Sequence, residues 1–361
     1  MNLPLHDRGV ISRYREYLPV TDATPVISLN EGSTPLIHSP RLSERARRKV
    51  FVKYEGLNPT GSFKDRGMTV AMSKAAEAGA TMVVCASTGN TSAAAAAYAA
   101  RGGMKCAVIL PAGKIAMGKL VQAFVYGATA VAIRGNFDDA LRLVRELGAD
   151  GSVAVVNSIN PDRIEGQKTA SFEIIDELGD APDVHILPVG NAGNITAYWK
   201  GYREFQDAGR SSRLPRMIGF QAAGSAPIFH NRVIENPETA ASAIRIGNPA
   251  SWQGATAAIS ESAGCIDIVT DEEILDAQAW LAQNEGIFVE PASAASIAGL
   301  FKSLESPSPT NPLPSIPEGA TIVCTVTGHG LKDSDTAMSH RHYAPIEAEP
   351  TIDSVRRALS A

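Results

Sequence analysis

Short apolar runs of strand length, alternating with helical stretches, constrain this chain more than any other feature. The runs fall at 50–54, 82–86, 106–110, 129–133 and 153–156, and resume at 184–188, 217–221 and 321–326. Helical patterning fills the gaps at 69–78, 92–101, 115–126, 137–147, 164–178, 195–208, 271–286 and 292–304. A strand that is apolar on both faces has to be covered on both, and strands linked through helices run parallel. The pattern predicts an α/β protein of two lobes, each an open, mostly parallel sheet flanked by helices, with the active site between them. A single sheet of roughly ten strands would be unusually large, so the division is expected near residue 160. Residues 44–160 then form an N-terminal lobe, and 161–345 a C-terminal lobe joined by part of 1–43. Pro307, Pro309, Pro312, Pro314 and Pro317 predict a surface loop between Glu305 and Glu318. Residues 346–361 read as a tail with a short helix at 353–359.

Composition narrows the class of partner. Of the 361 residues 44% are hydrophobic and 20% charged, the balance of an ordinary globular protein. The net charge is −5 with no basic block, so nucleic acid is not an expected partner. Cys85, Cys106, Cys265 and Cys324 are far apart in apolar runs and read as buried thiols of a reduced compartment, not as bridges or zinc ligands. Residues 1–8 have no apolar core, so no signal peptide is expected. The charge-free window 78–100 is broken mid-span by Ser87, Thr88, Asn90, Thr91 and Ser92, which argues against a membrane span. The expected location is the cytoplasm.

In an open parallel sheet, ligands bind at the carboxyl ends of the strands, and the chain places its polar loops there. After the 50–54 run comes Asn58-Pro59-Thr60-Gly61-Ser62-Phe63-Lys64-Asp65-Arg66-Gly67. Pro59 and Gly61 make a turn and Ser62 is expected to cap a helix. Lys64 then falls in the first helical turn, where the dipole disfavours another cation. A lysine whose pKa is depressed offers a nucleophilic amine. A lone lysine is ordinarily a solvated surface group, and three downstream loops change that reading.

The first, Ser87-Thr88-Gly89-Asn90-Thr91-Ser92, sets five small polar side chains at a helix N-terminus, more than capping needs and suited to a carboxylate or another anion. The second, Gly190-Asn191-Ala192-Gly193-Asn194, opens another helix with small residues that let backbone N–H groups close on a phosphate. It lacks the G-x-G-x-x-G spacing of dinucleotide sites and the Gly-Lys-Ser/Thr of a P-loop, so a compact single phosphate fits best, with an ordinary turn as the alternative. The third, Thr327-Gly328-His329-Gly330, places a hydroxyl at a strand end, where it can bond a heteroaromatic nitrogen. His329 reads either as an acid or base or as a residue that tolerates the turn. An amine, two anion sites and a ring-nitrogen partner are together what pyridoxal phosphate requires.

At these residues the chain resembles the threonine synthases, within the fold-type II (tryptophan synthase β-like) family of pyridoxal phosphate enzymes. The likeness runs from Glu31-Gly32-Ser33-Thr34-Pro35-Leu36 through Asp333, and is sharpest at 56–68, 86–97, 157–168, 187–201, 290–299 and 323–333. It implies that Lys64 is the Schiff-base lysine, that Asn90 bonds the cofactor's phenolic oxygen, that residues 190–194 hold its phosphate and that Thr327 faces the pyridine nitrogen. It further implies conversion of O-phosphohomoserine and water to threonine and phosphate, with Lys64 as the base at both Cα and Cβ, and a homodimer. Ser87 and Thr88 are the residues expected on the substrate's other end. The substrate phosphate needs its own site, and Asn157, Ser158 and Arg163, after the 153–156 run, offer one. Arg163 has a simpler reading as a surface ion pair with Asp162 or Glu165. Two rival functions remain at this level: a threonine or serine dehydratase on the same fold, which needs no second phosphate site, and a non-catalytic nucleotide-binding module. The region 87–150 is expected to close on substrate.

Overall fold

Buried strands form where the apolar runs are uninterrupted. The computed structural model describes residues 9–87, 89–112, 117–135, 137–149, 151, 153–305, 317–341 and 345–359. Its strands are β1 (Leu36–His38), β2 (Lys49–Tyr54), β3 (Met82–Ala86), β4 (Lys105–Pro111), β5 (Thr129–Ile133), β6 (Ala154–Val155), β7 (Val184–Pro188), β8 (Arg216–Ala222), β9 (Cys265–Val269) and β10 (Thr321–Val326). Six pair in the order β1-β2-β10-β7-β8-β9 and four in the order β5-β4-β3-β6. Every pairing is parallel except that of β1 with β2. The central β7 is buried along its whole length, which is why Val-His-Ile-Leu-Pro carries no alternation.

The sheets correct the expected lobe of residues 44–160. β2 lies between β1 and β10, with Val50 opposite Ile322 and Val52 opposite Cys324, so it belongs to the larger sheet. The smaller sheet draws only on strands within 82–155. Strand β9 was not expected, because Asp267 interrupts its apolar run at the sheet edge. Residues 1–8, where the signal-peptide expectation falls, and Pro307, Pro309, Pro312 and Pro314 lie outside the described residues. No helix among the described residues is long and apolar enough to cross a membrane. The window 78–100 instead supplies β3 and the buried, alanine-rich helix Asn90–Arg101.

A buried ionic network holds the larger sheet to the helices that build the site. Arg66 is fully buried; it donates to both oxygens of Glu55 at 2.7 and 2.8 Å and to both oxygens of Glu173 at 2.8 and 2.6 Å. Lys53, on β2, reaches Glu173 at 2.8 Å and the Thr34 carbonyl oxygen at 2.6 Å. These two cations hold the Glu173 carboxyl well below the usual carboxylate range. Arg66 lies on the helix Lys64–Glu77 and Glu173 on the helix Pro161–Leu178. The two helices touch backbone to backbone through glycine: a Cβ on Gly166 would sit 2.0 Å from the Arg66 carbonyl oxygen, and one on Gly67 would sit 2.6 Å from that of Arg163. That contact brings Lys64 and Arg163 side by side.

Candidate active site

All strands but the antiparallel edge β1 point one way within each sheet, so the loops after β2, β3, β6, β7 and β10 gather at a common cleft. Lys64, Ser87, Asn90, Asn157, Ser158, Arg163, Gly190, Asn191, Ala192, Gly193, Asn194 and Thr327 all line it. Thr88 lies outside the described residues.

Lys64 is the first residue of its helix. The expected cap at Ser62 is corrected: the N-cap position is Phe63, and Ser62 Oγ accepts only a long bond of 3.4 Å from the Lys64 amide. Ser62 is drawn away because it bridges to Gly328 beside β10. The Lys64 ammonium stands 4.1 Å from the centre of the Phe63 ring and draws no hydrogen bond or ion pair among the described residues. Desolvation lowers its pKa from 10.5 to about 7; the charge of Arg163 adds to this and Glu290 opposes it. The depression expected from the helix dipole is thus produced by burial and a neighbouring guanidinium.

The loop after β3 is held by the loop after β6. Asn157 Oδ1 accepts from the Ala86 amide at 2.9 Å and its Nδ2 donates to the Ala86 carbonyl oxygen at 3.0 Å. Asn157, expected to touch substrate, lines the cleft; Ala86 engages its Oδ1 and one of its two Nδ2 protons, which also fixes the strand end. Asn90 opens its helix and donates from Nδ2 to both oxygens of Glu290, at 3.1 and 3.0 Å. Glu290 is a site residue the sequence reading gave no role, and burial raises its pKa. Ser87 Oγ accepts from the Gly89 amide at 3.2 Å.

The loop after β7 enters its helix, Gly193–Asp207, through Ala192 in the left-handed region at φ 63°. The first N–H groups of such a helix have no intrahelical acceptor. Asn191 fastens the loop sideways: its Oδ1 accepts from the Ala250 amide at 2.6 Å and its Nδ2 donates to Ser158 Oγ. Asn194 Nδ2 donates to the Pro188 carbonyl oxygen at 2.7 Å. A Cβ on Gly193 would meet nothing nearer than Ile164 Cδ1 at 3.6 Å, so no protein atom requires glycine there. The small residue leaves a cradle open beside the free amides.

Across the cleft, Thr327 ends β10 and its Oγ1 lies 2.9 Å from Ser293 Oγ. Ser293 Oγ also accepts the amides of Thr327 and Gly328, at 3.0 and 2.8 Å. With both lone pairs taken, the single Ser293 proton is left for Thr327 Oγ1 or for the Gly328 carbonyl oxygen at 3.3 Å, and in either case Ser293 has no lone pair for the Thr327 proton. Ser293 sits near the start of the helix Pro291–Glu305, and its serine looked like any helical small residue in sequence. His329 Nδ1 caps the following turn, accepting from the Leu331 amide at 3.2 Å, and its ring stacks on Tyr54 at 6.0 Å.

Arg163 is fully buried beneath the cleft, and the surface pairing with Asp162 or Glu165 does not form. Glu165 is taken by Lys168 and Lys200, at 2.5 and 3.2 Å. Arg163 Nη1 donates to the Val156 carbonyl oxygen at 2.8 Å, while Nε and Nη2 have no partner among the described residues. Burial pulls its pKa down to about 10, so it keeps its charge at neutral pH. One turn on, Gln167 lines the same wall with its Oε1 buried and unpartnered. The i,i+4 spacing from Arg163 was the signal for it.

A family model described as pyridoxal-phosphate dependent enzyme matches residues 27–328. The chain is 57% identical over 355 residues to the threonine synthase of Synechocystis sp., covering 98% of this chain and 91% of that one. It is 58% identical to that of Halalkalibacterium halodurans, over 92% of each chain. To that of Methanocaldococcus jannaschii it is 52% identical, over 96% of this chain and 86% of the other. Among solved structures it resembles the processed threonine deaminase isoform 2 of Solanum lycopersicum (TM-score 0.73, 21% identity, 91% of this chain and 86% of that one). Maize serine racemase is similar in fold (TM-score 0.73, 20% identity, 93% of this chain and 100% of that one). With its lysine, glycine cradle and strand-end hydroxyl gathered on one cleft, the chain belongs to the pyridoxal-phosphate dependent enzyme family, in its threonine synthase group.

Proposed function

We propose that the chain converts O-phospho-L-homoserine and water to L-threonine and inorganic phosphate, as a carbon–oxygen lyase. The observation that carries this reading is the pair of unpartnered guanidinium N–H donors of Arg163 beside Lys64. A buried cation with orphaned donors is costly unless an anion completes it, and a dehydratase's substrate brings only its carboxylate, which the loop after β3 takes, with no second anion for Arg163. The test is release of threonine and phosphate from O-phosphohomoserine by the cofactor-loaded protein. Brisk deamination of threonine with no reaction of the phosphate ester would favour the dehydratase reading.

The cleft fits pyridoxal phosphate. The Gly193 cradle and the helix amides of residues 192–194 would take its phosphate, Lys64 its aldehyde carbon, Asn90 its phenolic oxygen and the Thr327 hydroxyl its ring nitrogen. When bound, the cofactor supplies an electron sink for carbanion chemistry at the substrate. Two contacts from Asn90 Nδ2 to the Glu290 carboxylate fix the amide at the cleft wall. Lys64 Nζ, near half neutral at pH 7, takes the proton from substrate Cα and then from Cβ. Arg163 Nε and Nη2 and the Ser158 hydroxyl bind the substrate phosphate. Ser87, with the start of the helix Asn90–Arg101, holds the carboxylate. We also propose that the protein works in the cytoplasm, which four buried unbridged thiols favour. It works as a homodimer, a reading from the family resemblance that sedimentation would test.

Two expected results follow from this assignment. In cofactor-free protein, capture of pyridoxal phosphate requires the neutral amine of Lys64. Its rate will rise with pH and level off above about 7, whereas an ordinary lysine would keep gaining toward 10.5. Stopped-flow absorbance over pH 6–9 measures this, and a rate still climbing at pH 9 would contradict it. Gly193→Ala should leave the cofactor-free fold within about 1 kcal/mol, since alanine suits a helix and meets no protein atom. It fills the cradle, however, and should weaken pyridoxal phosphate by roughly tenfold or more through lost charged hydrogen bonds. Equilibrium titration of the apoprotein separates the two effects.

A further inference from the structure

We infer that Lys332 is a positioning residue, a latch that ties the smaller lobe and the lysine-bearing turn to the larger lobe. Lys332 follows β10 in the loop after Thr327, and its Nζ donates to the Thr60 carbonyl oxygen at 2.8 Å and to Gln122 Oε1. Gln122 Nε2 donates to the same Thr60 oxygen at 3.3 Å, which closes a three-membered ring of contacts. Gln122 belongs to the helix Met117–Val125, which packs on the smaller sheet's helix Asn90–Arg101 through Leu120 and Ala123. Thr60 belongs to the turn before Lys64 and is itself gripped by Asp65, which accepts from its amide at 2.6 Å and from its hydroxyl. Three segments distant in sequence thus meet on one ammonium at the cleft wall.

The charge distribution suits a contact that opens and shuts. Lys332 forms no salt bridge among the described residues; its acceptors across the lobes are a neutral carbonyl and a neutral amide. Parting them separates no ion pair, so opening is cheaper than breaking a buried salt bridge. Burial lowers the Lys332 pKa, against Glu290 and Asp65, whose charges favour its protonated form, and His329 faces it from its own loop. Its aliphatic stem packs over Gly61, where a Cβ would lie 3.2 Å from Lys332 Cδ. Methionine in its place keeps that packing and removes the donors.

This role deepens the reading of the cleft given above, but amide exchange in the Met117–Val125 helix does not depend on which substrate is used. Failure of the latch and failure of the proposed reaction are therefore distinguishable. In holoenzyme carrying Lys332→Met, exchange in that helix should accelerate by roughly tenfold, the factor for one lost charged hydrogen bond. The cofactor absorbance should stay unchanged. Gln122→Glu, which turns the amide contact into an ion pair, should slow exchange in the wild-type background and not in Lys332→Met. Unchanged exchange in Lys332→Met, or an equal effect of Gln122→Glu in both backgrounds, would overturn the latch. Should Lys332→Met fail to fold, Gln122→Ala, altered from the other side, decides: faster exchange supports the latch and wild-type exchange overturns it.

Discussion

Replacing Lys64 with alanine will lower turnover by about 10³-fold or more while leaving both sheets intact. The side chain projects into the cleft and not into any of the apolar clusters, so its removal opens no core cavity. Alanine at the first helical position also favours the helix. What is lost is the amine, its pKa lowered to about 7, that we propose as both the cofactor's covalent anchor and the proton carrier. General-base catalysis alone commonly contributes about 10²- to 10⁴-fold. Borohydride reduction of the wild-type holoenzyme, followed by peptide mass analysis, should place the pyridoxyl group on Lys64. Lys53 and Lys74 are poor alternatives: the first is buried against Glu173 at 2.8 Å and the second is paired with Glu77. A modified peptide containing either one would sink the assignment. So would a Lys64→Ala protein that retains turnover with an unchanged melting temperature.

Sequence carried the strands of this fold further than it carried their arrangement. The residues at 82–86, 184–188 and 321–326 form strands at those bounds because a strand buried on both faces is a local apolar run. Which strand lies beside which is a non-local matter. The insertion of β2 beside β10 rests on backbone hydrogen bonds between residues more than 260 positions apart in the chain, and nothing in Lys49–Tyr54 announces them. The cleft shows the same asymmetry. Loops rich in glycine and hydroxyls at strand ends were legible, and they converge. The residues that hold those loops were not: Ser293, Glu290 and Gln167 reach in from helix starts or helix walls, where a serine, glutamate or glutamine is unremarked. Asn157 shows the converse: its type and place suited a ligand, and the structure adds bonds to the Ala86 backbone that no local pattern announces.

Arg163→Leu should cut kcat/KM for O-phosphohomoserine by roughly 10²- to 10³-fold and leave pyridoxal phosphate affinity near wild type. Losing one partner of a desolvated charge pair commonly costs about 2–5 kcal/mol, and Arg163 is as desolvated as any side chain here. Its Nη1 bond to the Val156 carbonyl oxygen is a local cost, about 1 kcal/mol, that lowers stability without touching the cofactor loop after β7. A second consequence runs through Lys64. The Arg163 charge helps to depress the lysine pKa, so in Arg163→Leu that pKa should rise and the pH at which pyridoxal phosphate capture levels off should move upward. Inorganic phosphate should inhibit the parent enzyme competitively and the variant far less. Arg163→Lys restores the charge but not the planar fork, and should recover the lysine pKa while recovering little of the substrate affinity. If Arg163→Leu instead loses pyridoxal phosphate and keeps the wild-type response to inorganic phosphate, Arg163 serves the cofactor, and the substrate phosphate must bind elsewhere in the cleft.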